Sequence, residues 1–299
     1  MMAKRNDSKI CYTTLAIGHE YNLHAKKLAD DISQLSPNIP IVILTDRPKV
    51  FTNHSSVIPI KHDIQSVGIF HDKLCCIEKS LENFECCIFL DADCRLIENM
   101  ANSRDWKPGL TVKTCWDLSE HIHPKGASER AVRTQKLVHE VAKELSVPIN
   151  DAKFVYEAIF VVHADSQKEI EFLKTWKQIR DFFESNGIFD GEGVAMGLAA
   201  AKASLNVHHY NSGYDGSKDI KDVYKDKIFY RLLLHQDRQD LPNAVCDKVL
   251  EFDRQRKQNQ KGPIWRKIKR KIILPTMKRI RLAQLKIRHY GKKEFANFL

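Results

Sequence analysis

Short apolar runs alternate along this 299-residue chain with segments whose apolar residues recur at helical spacing. The runs 9–17, 39–45 and 86–90 predict buried strands, and the segments 21–35 and 72–83 predict helices between them. Strands that alternate with helices of about 10–15 residues form βαβ units around a mainly parallel sheet. The first third of the chain therefore predicts an α/β fold.

The alternation continues with weaker signals through the rest of the body. It predicts further strands at 110–115, 154–163, 205–210 and 227–235, and further helices at 129–145, 167–184 and 192–203. After about residue 246 the chain becomes strongly basic. We therefore expect one α/β domain over residues 1–245 and a basic amphipathic tail over residues 246–299.

The positive charge is concentrated near the C-terminus. The net charge is +10, yet residues 254–293 contain 16 Lys or Arg and no Asp or Glu, which leaves 32 basic and 38 acidic residues elsewhere. Apolar residues recur in this segment at helical spacing on either side of Pro275: Ile264, Ile268, Ile272, Met277, Ile280 and Leu285. The pattern predicts one or two basic amphipathic helices.

Three partners fit such a tail. An anionic membrane surface is favoured for residues 254–293, because each nearby Lys or Arg contributes about 1 kcal/mol and Trp265 adds to an insertable face. The phosphates of a nucleic acid would attract the same charges, but the body shows no nucleic-acid-binding module. The third partner is the acidic surface of the body itself.

The sequence contains no run of about 18 apolar residues, which a membrane-spanning helix requires, and its N-terminus lacks the apolar segment of a signal peptide. The eight cysteines show no zinc-binding spacing and predict buried, reduced thiols. We therefore expect a cytoplasmic protein, held peripherally at the inner face of the membrane.

Two carboxylates follow the apolar run 86–90. Asp91 and Asp93 are one residue apart at the end of a predicted strand, where open α/β sheets collect their ligands. Both can reach one divalent ion if the chain bends there, and their oxygens suit Mn or Mg. A DxD triplet is common by chance, so its context carries the prediction: two earlier βα units and a helix that opens with Lys73.

In this context the chain resembles the nucleotide-sugar half of a DxD-type GT-A glycosyltransferase, distantly glycogenin-like. The resemblance spans about residues 8–240 and rests on the segments 14–46, 71–74, 89–93, 154–160 and 191–193. It implies a Rossmann-like mixed sheet flanked by helices. It also implies transfer of a sugar from a nucleoside-diphosphate donor, expected to be a UDP-sugar, to a hydroxyl of a glycan or lipid-linked acceptor in surface glycan or glycolipid synthesis.

The resemblance also implies roles for matching residues. Asp91, Asp93 and His235 would hold Mn or Mg at the donor diphosphate, although His235 is followed by Gln-Asp-Arg and not by the family's Gly and Lys-Pro-Trp element. The donor site would comprise Ala16, Ile17, Gly18, Tyr21, Asp46, Lys73, Asp91, Ala92 and Asp93, with Tyr21 stacked on the base. Glu157 and Glu192 would be catalytic, with Glu192 a base, a stabiliser of positive charge on the sugar or a hydroxyl-binding group.

Other interpretations stay open. A phosphatase of the haloacid dehalogenase type also uses DxD, but on its first strand. A nucleotidyltransferase would carry a glycine-rich loop where this chain has residues 15–19. A non-enzymatic membrane- or nucleic-acid-associated protein could keep the same fold. Each site residue also has a structural alternative, such as a turn carboxylate, a residue at a helix N-terminus or a histidine without metal.

Overall fold

The structure is a computed structural model that describes residues 9–96, 99–102, 105–112, 115–122, 128–209, 229–231 and 269–289. Its strands are β1 (Ile10–Ala16), β2 (Ile41–Thr45), β3 (Val57–Lys61), β4 (Cys86–Leu90), β5 (Cys94–Leu96), β6 (Gly109–Val112), β7 (Cys115–Asp117), β8 (Lys153–Val155), β9 (Ile159–His163), β10 (Val207–His209) and β11 (Phe229–Arg231).

The α-helices are α1 (His19–Leu35), α2 (Lys73–Leu81), α3 (Leu118–Ile122), α4 (Glu129–Glu144), α5 (Lys168–Ser185), α6 (Glu192–Lys202) and α7 (Leu274–His289). Short 3₁₀ helices cover Pro48–Phe51, Phe70–Asp72 and Ile149–Asp151, and a π-helical turn, Lys269–Ile273, leads into α7. None of the described helices is both long and apolar enough to span a bilayer.

Seven strands form one mixed sheet in the order β10-β6-β9-β4-β1-β2-β3. Strands β3, β2, β1 and β4 are parallel, β9 is antiparallel to both β4 and β6, and β10 is parallel to β6. The carboxyl ends of β1, β2 and β4 therefore share one edge of the sheet with the amino end of β9. Ligands of open α/β sheets collect at such an edge.

The alternation of side chains along the strands divides the core between the two faces of the sheet. On one face Tyr12 of β1 and Ile43 of β2 pack with Leu28 and Ile32 of α1. On the other face the buried strand residues pack with α2, α5 and α6, as in the cluster that contains Phe89, Leu74, Trp176 and Leu198. Helices thus cover both faces, and the predicted α/β fold class is confirmed.

Three predicted strands differ from the structure. The described residues of the segment 110–115 belong to β6 of the main sheet and to the start of β7, which pairs with β8. The segment 154–163 is not continuous, because the chain turns at 156–158; its first part, β8, pairs with β7, and only β9 joins the main sheet. The predicted strand 227–235 is described only at β11, which pairs with β5 in a separate two-stranded sheet. The seven cysteines in the described segments are free thiols, and all but Cys115 are buried.

The basic tail is described from residue 269 to 289. Leu285 of α7 is buried, and His289 Nε2 lies 2.9 Å from Asp181 Oδ2 on α5. The helix is therefore docked on the body through this side. Ile264, Trp265 and Ile268 lie outside the described residues.

Candidate active site

Three of the predicted site residues, Asp91, Glu157 and Glu192, surround the ammonium group of Lys73. This residue opens α2, directly after the buried Asp72, and its side chain is only 8% exposed. Its Nζ lies 3.1 Å from Asp91 Oδ1 and 3.6 Å from Glu192 Oε1, and it donates a hydrogen bond of 3.1 Å to the backbone carbonyl of Glu157. Lys73, Asp91, Glu157 and Glu192 were each predicted from the sequence, and the fold brings them together at one edge of the sheet.

The carboxylates around Lys73 outnumber its ammonium. Burial lowers the pKa of Lys73, but Asp91, Glu192 and Glu157 outweigh burial and hold that pKa above its ordinary value. Burial, against the pull of Lys73 and with the help of Glu157 and Asp91, raises the pKa of Glu192 to about 7. Buried carboxylates repel one another when all are ionised, and a bound cation or a proton relieves that repulsion. Such clusters are a common feature of functional sites.

Helix α6 places Glu192 in this cluster by lying directly on β8. Glu192 is its first residue, so the positive end of the helix dipole adjoins the carboxylate. A Cβ on Gly197 would come 1.6 Å from the carbonyl oxygen of Lys153, and a Cβ on Gly193 would come 3.1 Å from Glu157 Oε2. The Gly-xxx-Gly spacing in an alanine-rich helix is the sequence signal for this close approach.

Asp91, Ala92 and Asp93 form the turn between β4 and β5. The amide of Asp91 donates to the carbonyl of Ala158 at 3.0 Å, and the amide of Cys94 donates back to the carbonyl of Asp91 at 2.8 Å. Asp93 is 1% exposed and Ala92 is buried beside it. The turn therefore holds both carboxylates on one short, fixed segment at the carboxyl end of β4.

Asp91 and Asp93 offer the oxygen donors that a hard divalent cation prefers, and Asp91 lies in a cluster whose carboxylates outnumber its ammonium group. Within the described residues no three His, Cys, Asp or Glu side chains are grouped as a metal site. His235, the predicted third ligand, lies outside the described residues, four positions after β11 ends at Arg231.

A second polar cluster joins the ends of β1 and β2. Asp46 Oδ1 accepts hydrogen bonds from the Gly18 amide at 3.0 Å and from Asn22 Nδ2 at 2.9 Å. Thr45 Oγ1 donates to Asn22 Oδ1 at 2.6 Å. Gly18 has φ 88° and ψ 162°, a conformation that only glycine adopts without strain. Gly18 and Asp46, both predicted donor-binding residues, are thus hydrogen-bonded to each other, and Asn22 is a residue of this corner that the sequence did not reveal.

The remaining predicted donor residues lie on both sides of this corner. Ala16 is buried at the end of β1, Ile17 is half-buried, and Tyr21 in the first turn of α1 is 44% exposed. The Tyr21 ring has its centroid 6.1 Å from that of His24. An exposed ring beside this corner is compatible with stacking on a base, which stays a prediction.

The fold is similar to that of solved glycosyltransferases. The galactosyltransferase LgtC, in complex with donor and acceptor sugar analogs, aligns with 86% of this chain and 99% of its own chain, at 10% identity and a TM-score of 0.51. An active-site mutant of LgtC aligns with 85% and 98%, at 10% identity and a TM-score of 0.50. The bifunctional glycosyltransferase WbbM aligns with 83% and 45%, at 12% identity and a TM-score of 0.44.

No protein-family model and no curated protein sequence matches the chain. The two LgtC comparisons show that it has the fold of a GT-A glycosyltransferase, as the sequence predicts.

Proposed function

We propose that the protein is a metal-dependent glycosyltransferase that moves a sugar from a nucleoside-diphosphate donor, such as a UDP-sugar, to a hydroxyl of a glycan or lipid-linked acceptor. The observation that carries this proposal is the cluster of Lys73, Asp91, Glu157 and Glu192 at the ligand-binding edge of a GT-A fold. Such transfer needs positive charge at the departing diphosphate and negative charge near the reacting sugar, and this cluster offers both.

Asp91 and Asp93, with His235 as the predicted third ligand, would hold Mn or Mg at the donor diphosphate. A cation bound there supplies Lewis-acid stabilisation of the leaving group. The position of the motif supports this role over a phosphatase of the DxD type, because here Asp91 and Asp93 follow β4 and not the first strand. The nucleotide would lie at the corner formed by Gly18, Asn22 and Asp46.

Lys73 and Glu192 would have separate roles in donor binding and in the transfer step. The ammonium of Lys73 binds donor phosphate or sugar oxygens and keeps its proton at neutral pH, since the surrounding carboxylates hold its pKa high. Glu192 in its ionised form either accepts the proton of the acceptor hydroxyl or stabilises positive charge on the sugar. Glu157, whose carboxylate adjoins the start of α6, would orient the sugar.

Calorimetric titration with UDP, with and without Mn, tests the metal and the donor together. The wild type should bind UDP at least about tenfold more tightly with Mn, and Asp93→Ala should lose that difference while its unfolding midpoint shows that it folds. Asp63→Ala is the matched control, because the Asp63 side chain is 93% exposed. Equal affinity in all three proteins with and without metal would exclude a metal-bridged donor.

A screen of nucleotide sugars by metal-dependent thermal shift would then identify the donor. Binding of a ligand to the folded state alone raises the unfolding temperature in proportion to the logarithm of its concentration over Kd. A shift with one nucleotide sugar should be followed by transfer to sugar acceptors. The absence of any shift across the common nucleotide sugars would exclude the proposed function.

We further propose that α7 attaches the enzyme to an anionic membrane surface. Helix α7 exposes Met277, Ile280 and Ile287, which are 42%, 53% and 75% exposed. The exposed basic residues Arg279 and Lys286 lie on the same helix. An apolar stripe with flanking basic residues is the arrangement that binds at a lipid headgroup layer.

Flotation with anionic vesicles tests this attachment. Replacing Met277, Ile280 and Ile287 with Ser should reduce flotation at least about tenfold, because the insertable face is lost. Ile170→Ser is the matched control, since Ile170 is 60% exposed on α5. Equal flotation of the triple variant and the wild type would exclude α7 as the attachment site.

A further inference from the structure

Two segments of the chain lead directly into the Lys73–Glu192 pair. The first, residues 65–72, ends at Asp72, the residue before Lys73. Hydrogen bonds join the two ends of this segment. The Asp72 carboxylate accepts from the amides of Gln65 at 2.8 Å and Ser66 at 2.7 Å, and it lies 2.7 Å from His62 Nε2. A displacement of this segment is therefore transmitted to the start of α2, where Lys73 lies.

The second segment, residues 188–191, precedes Glu192 and touches the first one. A Cβ on Gly68 would come 2.3 Å from the carbonyl oxygen of Phe189, so the two backbones are in direct contact. Glu184 at the end of α5 fixes the first segment at this contact with Phe189. Its two carboxylate oxygens accept hydrogen bonds from the amides of Val67 at 2.8 Å and Gly68 at 2.7 Å.

Helix α7 contacts both segments with residues one turn apart. Arg281 Nη1 donates to the carbonyl of Val67 at 3.3 Å, and Lys278 Nζ lies 5.0 Å from the ring centroid of Phe189. Burial lowers the pKa of Arg281, and the buried carboxylates of Asp72 and Glu184 oppose that shift. One face of α7 therefore spans the junction between the two segments.

We propose that α7 is a positioning element of the active site, in which Lys278 and Arg281 hold together the two segments that carry Lys73 and Glu192. The effect on catalysis rests on the proposed function, but the contact of α7 with the two segments can be tested without it. The ammonium and the carboxylate at the ends of these segments are 3.6 Å apart. A shift of about 1 Å between catalytic groups is sufficient to reduce a rate substantially.

A charge-matched pair of double variants isolates the effect. Lys278→Ala with Arg281→Ala removes both contacts, whereas Arg279→Ala with Lys286→Ala removes the same charge from exposed positions of the same helix. Amide hydrogen exchange on the full chain should accelerate at least about tenfold at Val67 and Gly68, and measurably over residues 189–195, in the first variant only. Unchanged exchange at these amides would overturn the proposal.

Steady-state kinetics then test the consequence for the reaction. The kcat of the first double variant should be at least about fivefold below that of the wild type, with the unfolding midpoint recorded in parallel. The single variant Arg281→Lys keeps the charge, so its kcat should fall less. Faster exchange with unchanged kinetic constants would overturn the positioning role. If the first variant does not fold, exchange in Arg281→Gln decides instead. A wild type that transfers no sugar from any donor defeats the proposed function, while the exchange result still decides whether α7 holds the junction.

Discussion

At the scale of single residues, the ionisation of Glu192 has the most direct consequence for chemistry. Its pKa is raised to about 7 by burial, although the Lys73 ammonium lies 3.6 Å away. Both roles proposed for Glu192 require the ionised form, because neither a base nor a stabiliser of positive charge can be a neutral acid. Activity should therefore rise with pH through the range around 7.

The variant Glu192→Gln tests this dependence. We expect its activity to fall by at least about a hundredfold and its pH profile to lose the rise near pH 7, because the amide does not titrate. Rates measured between about pH 5.5 and 8.5 at saturating donor give the profile, and Glu144→Gln, on the exposed face of α4, serves as the control. A Gln variant that keeps the wild-type inflection would show that another group is responsible.

At the scale of elements, the approach of α6 to β8 sets where Glu192 lies. Gly197→Ala should destabilise the protein by about 1–3 kcal/mol, because the added Cβ would meet the Lys153 carbonyl at 1.6 Å and the helix must move. Alanine alone would favour the helix by about 1 kcal/mol, so the two effects differ in sign. Denaturant unfolding gives the answer, and an unchanged or increased free energy of unfolding would mean that the contact is easily relieved.

The elements also show what a sequence can and cannot predict. Lys73 and Asp91 were predictable, because parallel strands separated by helices place their carboxyl ends at one edge. Glu157 reaches the same edge for a different reason: the chain turns at 156–158 and β9 returns antiparallel to β4, with Leu90 opposite Ile159. An apolar run is compatible with either strand direction, so the pattern could not reveal this.

The same limit applies to helices whose partners are distant in sequence. The stripe of Met277, Ile280 and Leu285 predicted one apolar face on α7, whereas the structure buries Leu285 against the body and exposes the other two. The role of Asn22 depends likewise on Thr45 and Asp46, which only the fold brings beside it. Spacing defines a helical face, but tertiary contacts decide which part of it is covered.

At the scale of the whole molecule, buried groups whose pKa values are shifted in opposite directions determine how the free energy of unfolding depends on pH. Burial and the charge of Arg180 lower the pKa of His71 to about 3, so His71 contributes stability that grows as pH rises toward its unfolded value of 6.5. Burial raises the pKa of Glu184 to about 7, above its unfolded value of 4.5. A carboxyl group with a raised pKa binds more protons in the folded state, so its contribution is present below pH 4.5 and declines as pH rises to about 7.

Glu184→Gln isolates the second contribution, because glutamine does not titrate. The free energy of unfolding of the wild type, relative to that of the variant, should fall by up to about 1.4 kcal/mol per pH unit between pH 4.5 and 7. Denaturant unfolding at a series of pH values gives this difference directly. A difference that is independent of pH, or that grows with pH, would show that Glu184 is ionised throughout the folded state.

The separation of charge between body and tail determines which side of the molecule would bind an anionic membrane surface. Residues 254–293 carry 16 basic and no acidic residues, whereas the rest carries 32 basic and 38 acidic residues, so an anionic surface attracts the tail and repels the body. Raising the salt concentration from about 0.05 to 0.5 M shortens the screening length and should release the protein from anionic vesicles. Replacing Arg279 and Lys286 with Ala should lower the salt concentration at which half of the protein is released. Co-sedimentation with anionic and with neutral vesicles measures both effects, and attachment that is insensitive to salt, or equally strong on neutral vesicles, would show that the apolar stripe acts without the charges.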